Sequence, residues 1–315
     1  IYGTETMLGN VLSAALADGT LHSRQDVFVT SKLWNDDHRP ESVAAACRSS
    51  LRRLNLSYLD LYLIHWPAAW QKGTLGRPDS RVDLMDTWRA MELLVDQGLV
   101  KHIGVSNFGK IRLTRLLKES RIPPRCNQIE IHPQLQQHDL VLFCQKNGIV
   151  VTAWSPLAKG RALTASSVIT AMAAQRGITI SQLLLLWHLS RGIVAIPRSS
   201  NPEHIRENIT VWKRTEGTVN YKYENDGASS KVGSKSIDVP DLNRRHYRGF
   251  PGSGDALALL TEVELDAIRE LDQGRRLVMD FVGVFEETPW PWPFVGSMLC
   301  VLARIVWAVI PFRFD

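Results

Sequence analysis

Six short apolar runs, each followed by a stretch of helical spacing, constrain this chain more than any other feature. They are Asp26–Thr30, Leu59–Ile64, Val100–Val105, Cys126–Ile131, Ile149–Trp154 and Ile193–Ile196. Near-continuous apolar runs alternating with helical spacing imply a sheet that is covered on both faces. The segments around them supply the cover. Thr4-Glu5-Thr6 opens one in which Met7, Leu8, Val11, Leu12, Ala15 and Leu16 recur at helical spacing before Gly19. Pro40 opens another, with Val43, Ala46, Cys47, Ser50, Leu51 and Leu54 on one face. Strand and amphipathic helix in alternation give a parallel α/β sheet sheathed in helices.

Two parallel architectures compete. A doubly wound dinucleotide-binding sheet requires a Gly-x-Gly-x-x-Gly turn after its first strand, and the chain contains none. A (β/α)8 TIM barrel requires eight strands, and 315 residues suit one. The chain opens on what reads as a strand-to-helix loop, so the first two strands and first helix are expected before Ile1. On this reading the barrel domain occupies residues 1–272. It carries an insertion at 214–255, rich in Gly, Ser, Asn, Asp and Lys and without amphipathic period. Thr261-Glu262-Val263-Glu264 is a capping box that restarts helix after it. Residues 273–315 form an atypical tail that includes Pro289-Trp290-Pro291-Trp292-Pro293.

Composition excludes several classes. A net charge of +5 favours an anionic ligand or cofactor over a dedicated nucleic-acid surface. The one basic and aromatic cluster, Arg244-Arg245-His246-Tyr247-Arg248, reads as a solvated loop within the insertion. Phe294 to Phe312 is apolar except for Arg304, short of the roughly 20 uninterrupted residues of a bilayer span. Cys47, Cys126, Cys144 and Cys300 show neither a CxxC pair nor ligand spacing with histidine, so reduced thiols, no metal and a cytoplasmic location are expected. No secretory signal is read at the start.

The chemistry lies at strand ends. Tyr2 precedes the first helical run, Lys32 follows the first strand and His65 follows the second. In a parallel barrel every strand's C-terminal end opens on one face, which gathers residues distant in sequence. Carbonyl reduction needs a proton for the developing alkoxide. A tyrosine can supply it if a cation lowers its pKa from about 10. Lys32 is the candidate cation, and His65 can hydrogen-bond the carbonyl oxygen. Singly, each is more often a solvated or core residue; their joint placement carries the argument.

Several segments in order then resemble the aldo-keto reductase family. They are Ile1-Tyr2-Gly3-Thr4-Glu5, Val29-Thr30-Ser31-Lys32-Leu33-Trp34, Leu59 to Pro67, Ile103-Gly104-Val105-Ser106-Asn107-Phe108, Asn127 to Pro133, Trp154-Ser155-Pro156-Leu157 and Ile196 to Pro202. The resemblance runs from Ile1 to about Trp212 and resumes from about Thr261 to Asp272. It implies a (β/α)8 barrel that binds NADPH without a Rossmann fold and reduces aldehydes, including sugar aldehydes, or small ketones. Tyr2 is implied as general acid, Lys32 as the group lowering its pKa, and His65 as the residue orienting the carbonyl. Trp34 and Trp66 are implied, with His65, to line the substrate.

On the cofactor side the resemblance implies Ser106, Asn107 and Gln128 at the nicotinamide carboxamide. It places Trp154 on the nicotinamide ring with Ser155 and Leu157 beside it. Arg198, Ser199, Asn201, His204, Glu207 and Asn208 fall on the adenosine half. Arg198 stands where lysine is commoner, and His204 where arginine is frequent, so NADH is the alternative cofactor. Arg206 lies about 200° from His204 around a helix and does not replace it. The family's aspartate partner of the lysine is expected upstream of Tyr2. Expected partners are a small carbonyl substrate, with no nucleic acid and no membrane. The competing function is a non-catalytic barrel that binds nucleotide weakly or acts through protein contacts.

Overall fold

The computed structural model describes residues 3–74, 76–158, 166–215 and 259–276, with side chains described through residue 211 in the third of these segments. Tyr2, the Arg244–Arg248 cluster, the apolar stretch 294–312, the Trp/Pro run, most of the 214–255 insertion and the tail from residue 277 lie outside them. The described residues fall into two compact units, one ending at Ile129 and the other beginning at Glu130.

The first unit opens with helix α1 (Glu5–Ala17), then strand β1 (Thr30–Leu33), α2 (Pro40–Leu54), β2 (Leu59–Ile64), α3 (Leu84–Asp96), β3 (Val100–Ser106), α4 (Lys110–Glu119) and β4 (Cys126–Glu130). β1 pairs with β2, β2 with β3 and β3 with β4, all parallel. All six residues of β2 are buried, including the one charge in an otherwise apolar run. The charge at its start, Asp60, is satisfied on every side. It accepts from Arg24 and from the Val29 N–H, each at 2.8 Å, and pairs with Lys101 at 3.1 Å.

Asp60 also explains a correction. The first strand is expected over Asp26–Thr30, yet the ladder begins at Thr30 and Lys32 lies within it. Arg24–Asp26 form a 3-10 turn closed by a Ser23/Asp26 capping box. Val29 remains extended, but its N–H is taken by the Asp60 carboxylate instead of a strand neighbour. Local side-chain bonds outcompete the ladder at this end.

Helices α1 and α2 meet at Gly9, where an added Cβ would lie 2.6 Å from the Leu54 carbonyl. Of the apolar faces expected for the two helices, α1 buries Leu12 but leaves Met7 and Val11 exposed, while α2 buries Val43, Cys47, Leu51 and Leu54. Fully burying each such side chain contributes roughly 1.5–3 kcal/mol. Asn55, at φ +52, ends α2.

The second unit carries α5 (His138–Lys146), β5 (Val150–Trp154), α6 (Ser167–Gln175), α7 (Ile180–Ser190), β6 (Val194–Ala195), α8 (Pro202–Thr215) and α9 (Glu262–Arg269). β5 and β6 are parallel partners. Helix α8 continues to Thr215, two residues into the expected insertion. The expected capping box forms at Thr261 and Glu264. Glu264 also takes a two-pronged bond from Arg176 at the end of α6, at 2.5 and 2.6 Å, so α9 is docked on this unit. Among the described residues no single helix is long and apolar enough to cross a membrane.

Candidate active site

Strand register sorts the chemistry onto one face. Lys32 in β1 stands beside Leu63 in β2, and Leu63 beside Gly104 in β3. Val105 pairs with Asn127, which sets Gly104 beside Cys126 in β4. Side chains two residues apart share a face. The next row therefore reads Trp34, His65, Ser106 and Gln128, at the strands' C-terminal ends. The pairing of Ser106 with Gln128 is direct. Gly104 matters to the lower row, because a Cβ there would sit 2.7 Å from the Cys126 carbonyl oxygen and 2.8 Å from Leu63 Cδ2.

His65 is buried, with 7% of its surface exposed. The Trp34 ring meets it edge to face with centroids 5.0 Å apart, and the Trp66 ring lies nearly parallel at 6.3 Å. Its main-chain N–H donates to Leu33 O at 3.1 Å, extending the ladder past β2. Burial first, and the Lys32 charge second, hold its pKa well below the usual 6.5. At neutral pH the ring is an uncharged imidazole. Burial likewise pushes the Lys32 ammonium down to about 7, opposed by Cys126.

One aromatic was missed in the sequence. Trp70 stands edge-on to Trp34, with centroids 5.4 Å apart, and extends the aromatic wall. Its N–H donates to Asn35 O at 2.9 Å, and it pairs with Pro78 across the loop. Only its spacing of four from Trp66 could have flagged it, and a loop has no period that makes such spacing informative.

At the ends of β3 and β4, Ser106, Asn107 and Gln128 are all buried. Asn107 adopts φ +65, a left-handed conformation that asparagine tolerates better than most residues. The Ser106 hydroxyl donates to Gln128 O at 2.7 Å, and the Asn107 N–H donates to the same oxygen at 3.0 Å. The Asn107 side-chain amide donates to Ser106 Oγ and to His65 O. With its proton committed, the serine meets an incoming amide as an acceptor.

The second unit holds the other predicted cofactor residues. Trp154, Ser155 and Leu157 follow β5 and are half-buried, and Ser155 has φ +51. After β6, Arg198 is exposed and Ser199 Oγ accepts from the Asn201 N–H at 3.0 Å. Asn201 Oδ1 in turn accepts from the Glu203 N–H, fixing the start of α8. His204 is exposed, and Glu207 and Asn208 are half-buried on that helix. Arg206 is paired with Glu203. Asn208 Oδ1 is buried with no hydrogen-bond partner among the described residues. A buried acceptor without a donor is costly unless a ligand completes it.

Comparisons with known proteins identify the family. The model of the Aldo/keto reductase family matches residues 1–218. Aldose reductase B of Dictyostelium discoideum is 42% identical over 226 residues, covering 67% of this chain and 72% of that protein. Aldo-keto reductase family 1 member A1-A of Danio rerio is 42% identical over 228 residues, covering 67% and 70%. Among solved structures, a Bombyx mori aldo-keto reductase in complex with NADP is similar, with a TM-score of 0.69 and 31% identity. It covers 90% of this chain and 80% of that one. The aldose reductase of Schistosoma japonicum gives the same score and identity over 90% and 81%. The parallel β/α architecture is that of the family's (β/α)8 barrel. The chain belongs to the aldo/keto reductase family of NAD(P)H-dependent oxidoreductases.

Proposed function

We propose that this protein reduces aldehydes, including sugar aldehydes, or small ketones to alcohols, with Tyr2 as general acid and Lys32 and His65 as its partners. The observation that carries the assignment is the placing of His65, buried just past the end of β2 between the Trp34 and Trp66 rings, where burial holds its pKa below the usual 6.5. An uncharged imidazole can donate one hydrogen bond to a carbonyl oxygen and so orient it, but it is a poor proton source for an alkoxide. The proton then falls to Tyr2, the acid implied by the family motif. Lys32 lies one strand from His65, in the row below. Burial lowers its pKa to about 7, and in its ammonium form it would favour the phenolate of the proposed acid. Trp34, Trp66 and Trp70 exclude water from the imidazole and give the substrate an apolar wall.

The residues present fit NADPH. Ser106 and Asn107, with their protons committed within the protein, would meet a carboxamide through acceptor oxygens and Gln128 through its side-chain amide, and the half-buried Trp154 offers a face for a flat ring. The Asn208 Oδ1 acceptor matches an exocyclic amino group, and the exposed Arg198 matches a phosphate. When bound, NADPH supplies the hydride. Reduced, buried cysteines at 47, 126 and 144 accord with a cytoplasmic location.

The test is NADPH consumption with a panel of aldehydes and small ketones by the chain and its Tyr2→Phe and His65→Gln variants. Tyr2→Phe should lose turnover while binding NADPH as the parent does. Unchanged turnover in that variant would remove Tyr2 from the acid role.

A further inference from the structure

His65 is pinned by its main chain on both sides, and the two pins differ in kind. On the β1 side its N–H joins the ladder through Leu33 O at 3.1 Å. On the β3 side the ladder has stopped supplying donors. The Asn107 main chain has turned to φ +65 and delivers its N–H to Gln128 O instead. The Asn107 side-chain amide fills the gap, donating to His65 O at 3.0 Å and to Ser106 Oγ at 3.1 Å. Both amide hydrogens are thus accounted for within the protein. Ser106 passes the connection to Gln128 O at 2.7 Å. Four buried residues from the ends of three strands form one connected network, with Asn107 at its centre.

We infer that Asn107 is a positioning residue for His65, a side-chain latch that replaces a missing ladder bond and fixes the direction in which the imidazole leaves β2. The inference rests on the proposed reductase reading for its consequence and on geometry alone for its existence. A free His65 carbonyl would let the peptide plane before Trp66 rotate. That rotation would move Trp66 off its nearly parallel seat 6.3 Å from the imidazole and loosen the packing that orients the ring. Small displacements of an orienting group are expensive in rate, and loss of the latch should lower kcat about tenfold to a hundredfold. The left-handed backbone and the two amide donors select asparagine together: glycine would keep the conformation and aspartate the shape, but neither keeps the donors.

The experiment uses the full chain without cofactor, labelled with 15N histidine, and reads the ring nitrogens by NMR. There are nine histidines, and the His65 signal is identified by its loss in His65→Gln. In Asn107→Asp and Asn107→Gly the His65 ring signals should shift and broaden, while those of His188, in the second unit, stay in place. Both variants are needed, since the aspartate adds a charge and the glycine removes bulk; a folded example of either decides the matter. His65 signals identical to the parent's in a folded variant would overturn the latch. Because no turnover is required, failure of the reductase reading appears separately, as a parent chain that consumes no NADPH with any carbonyl.

Discussion

Trp34 stands edge-on to His65 with ring centroids 5.0 Å apart, one residue past the end of β1 and one past the end of β2. The contact follows from register, since Leu33 and Ile64 are the last partners of the two strands. A substrate wall and a carbonyl-orienting group therefore share one row, and a change in one reaches the other.

Trp34→Ala opens that wall. We expect KM for apolar aldehydes to rise about tenfold, with a smaller fall in kcat. Water admitted beside His65 should also bring its pKa back toward 6.5, adding an acid limb to the kcat/KM profile. Steady-state kinetics across pH 5 to 9 test both; a profile identical to the parent's would separate Trp34 from His65.

Lys32→Met trades activity for stability. The folded-state pKa of about 7 lies below the ordinary 10.5, so folding disfavours the proton. The cost is carried in full below about pH 7 and is relieved as pH rises toward 10.5. Lys32→Met should abolish turnover and stabilise the fold by about 1–3 kcal/mol at pH 7. That gain should shrink at pH 10. Thermal melts at the two pH values check the sign.

Acid should weaken the fold as its buried histidines are forced to take up protons. Burial lowers His38 and His188 to about 4 each, and His65 well below its usual value. Their neutral forms are favoured by the folded state, so the stability they confer is whole above about pH 6.5. It falls as pH drops toward 4, by at most about 1.4 kcal/mol per pH unit for each histidine. Urea midpoints that stay flat between pH 7 and 4.5 would contradict this.

The Arg176–Glu264 pair fastens α9. Arg176 holds the Glu264 carboxyl at about 2, below the usual 4.5. The stabilisation is present above about pH 4.5 and is lost as pH falls toward 2. Glu264→Gln should cost about 1–2 kcal/mol and speed amide exchange in residues 259–276 at pH 7. The α1–α2 crossing serves as an unaffected reference.

Gly104→Ala should be among the most damaging small changes. The new methyl would meet the Cys126 main chain and Leu63 at under 3 Å. Main-chain atoms in a ladder cannot retreat, so we expect about 1–3 kcal/mol of destabilisation. Denaturant titration measures it, and a neutral result would mean β3 and β4 separate easily.

The sequence made the β/α alternation legible because apolar continuity and helical period are local signals. Lys32 and His65 stand out in the sequence because they close apolar runs, whereas Ser106, Asn107 and Gln128 are marked only by the family's ordered motifs. The start of β1 was misplaced because Asp60, which draws off the Val29 N–H, lies 31 residues away from it. Trp70 was missed for a related reason: its partner Trp34 is close only after the loop has folded back. The insertion offered no period at all.

What the sequence determined by itself is the alternation, the strand-end residue types and, through ordered motifs, the family. Which residues share a face was decided only when β1, β2, β3 and β4 took their register. A shift of one residue would turn Lys32 and His65 away from the face they share with Ser106 and Gln128. The neutral charge of His65 and the loosely held proton of Lys32 were likewise tertiary. Both arise from desolvation, which no residue exerts on itself and which the packed fold imposes.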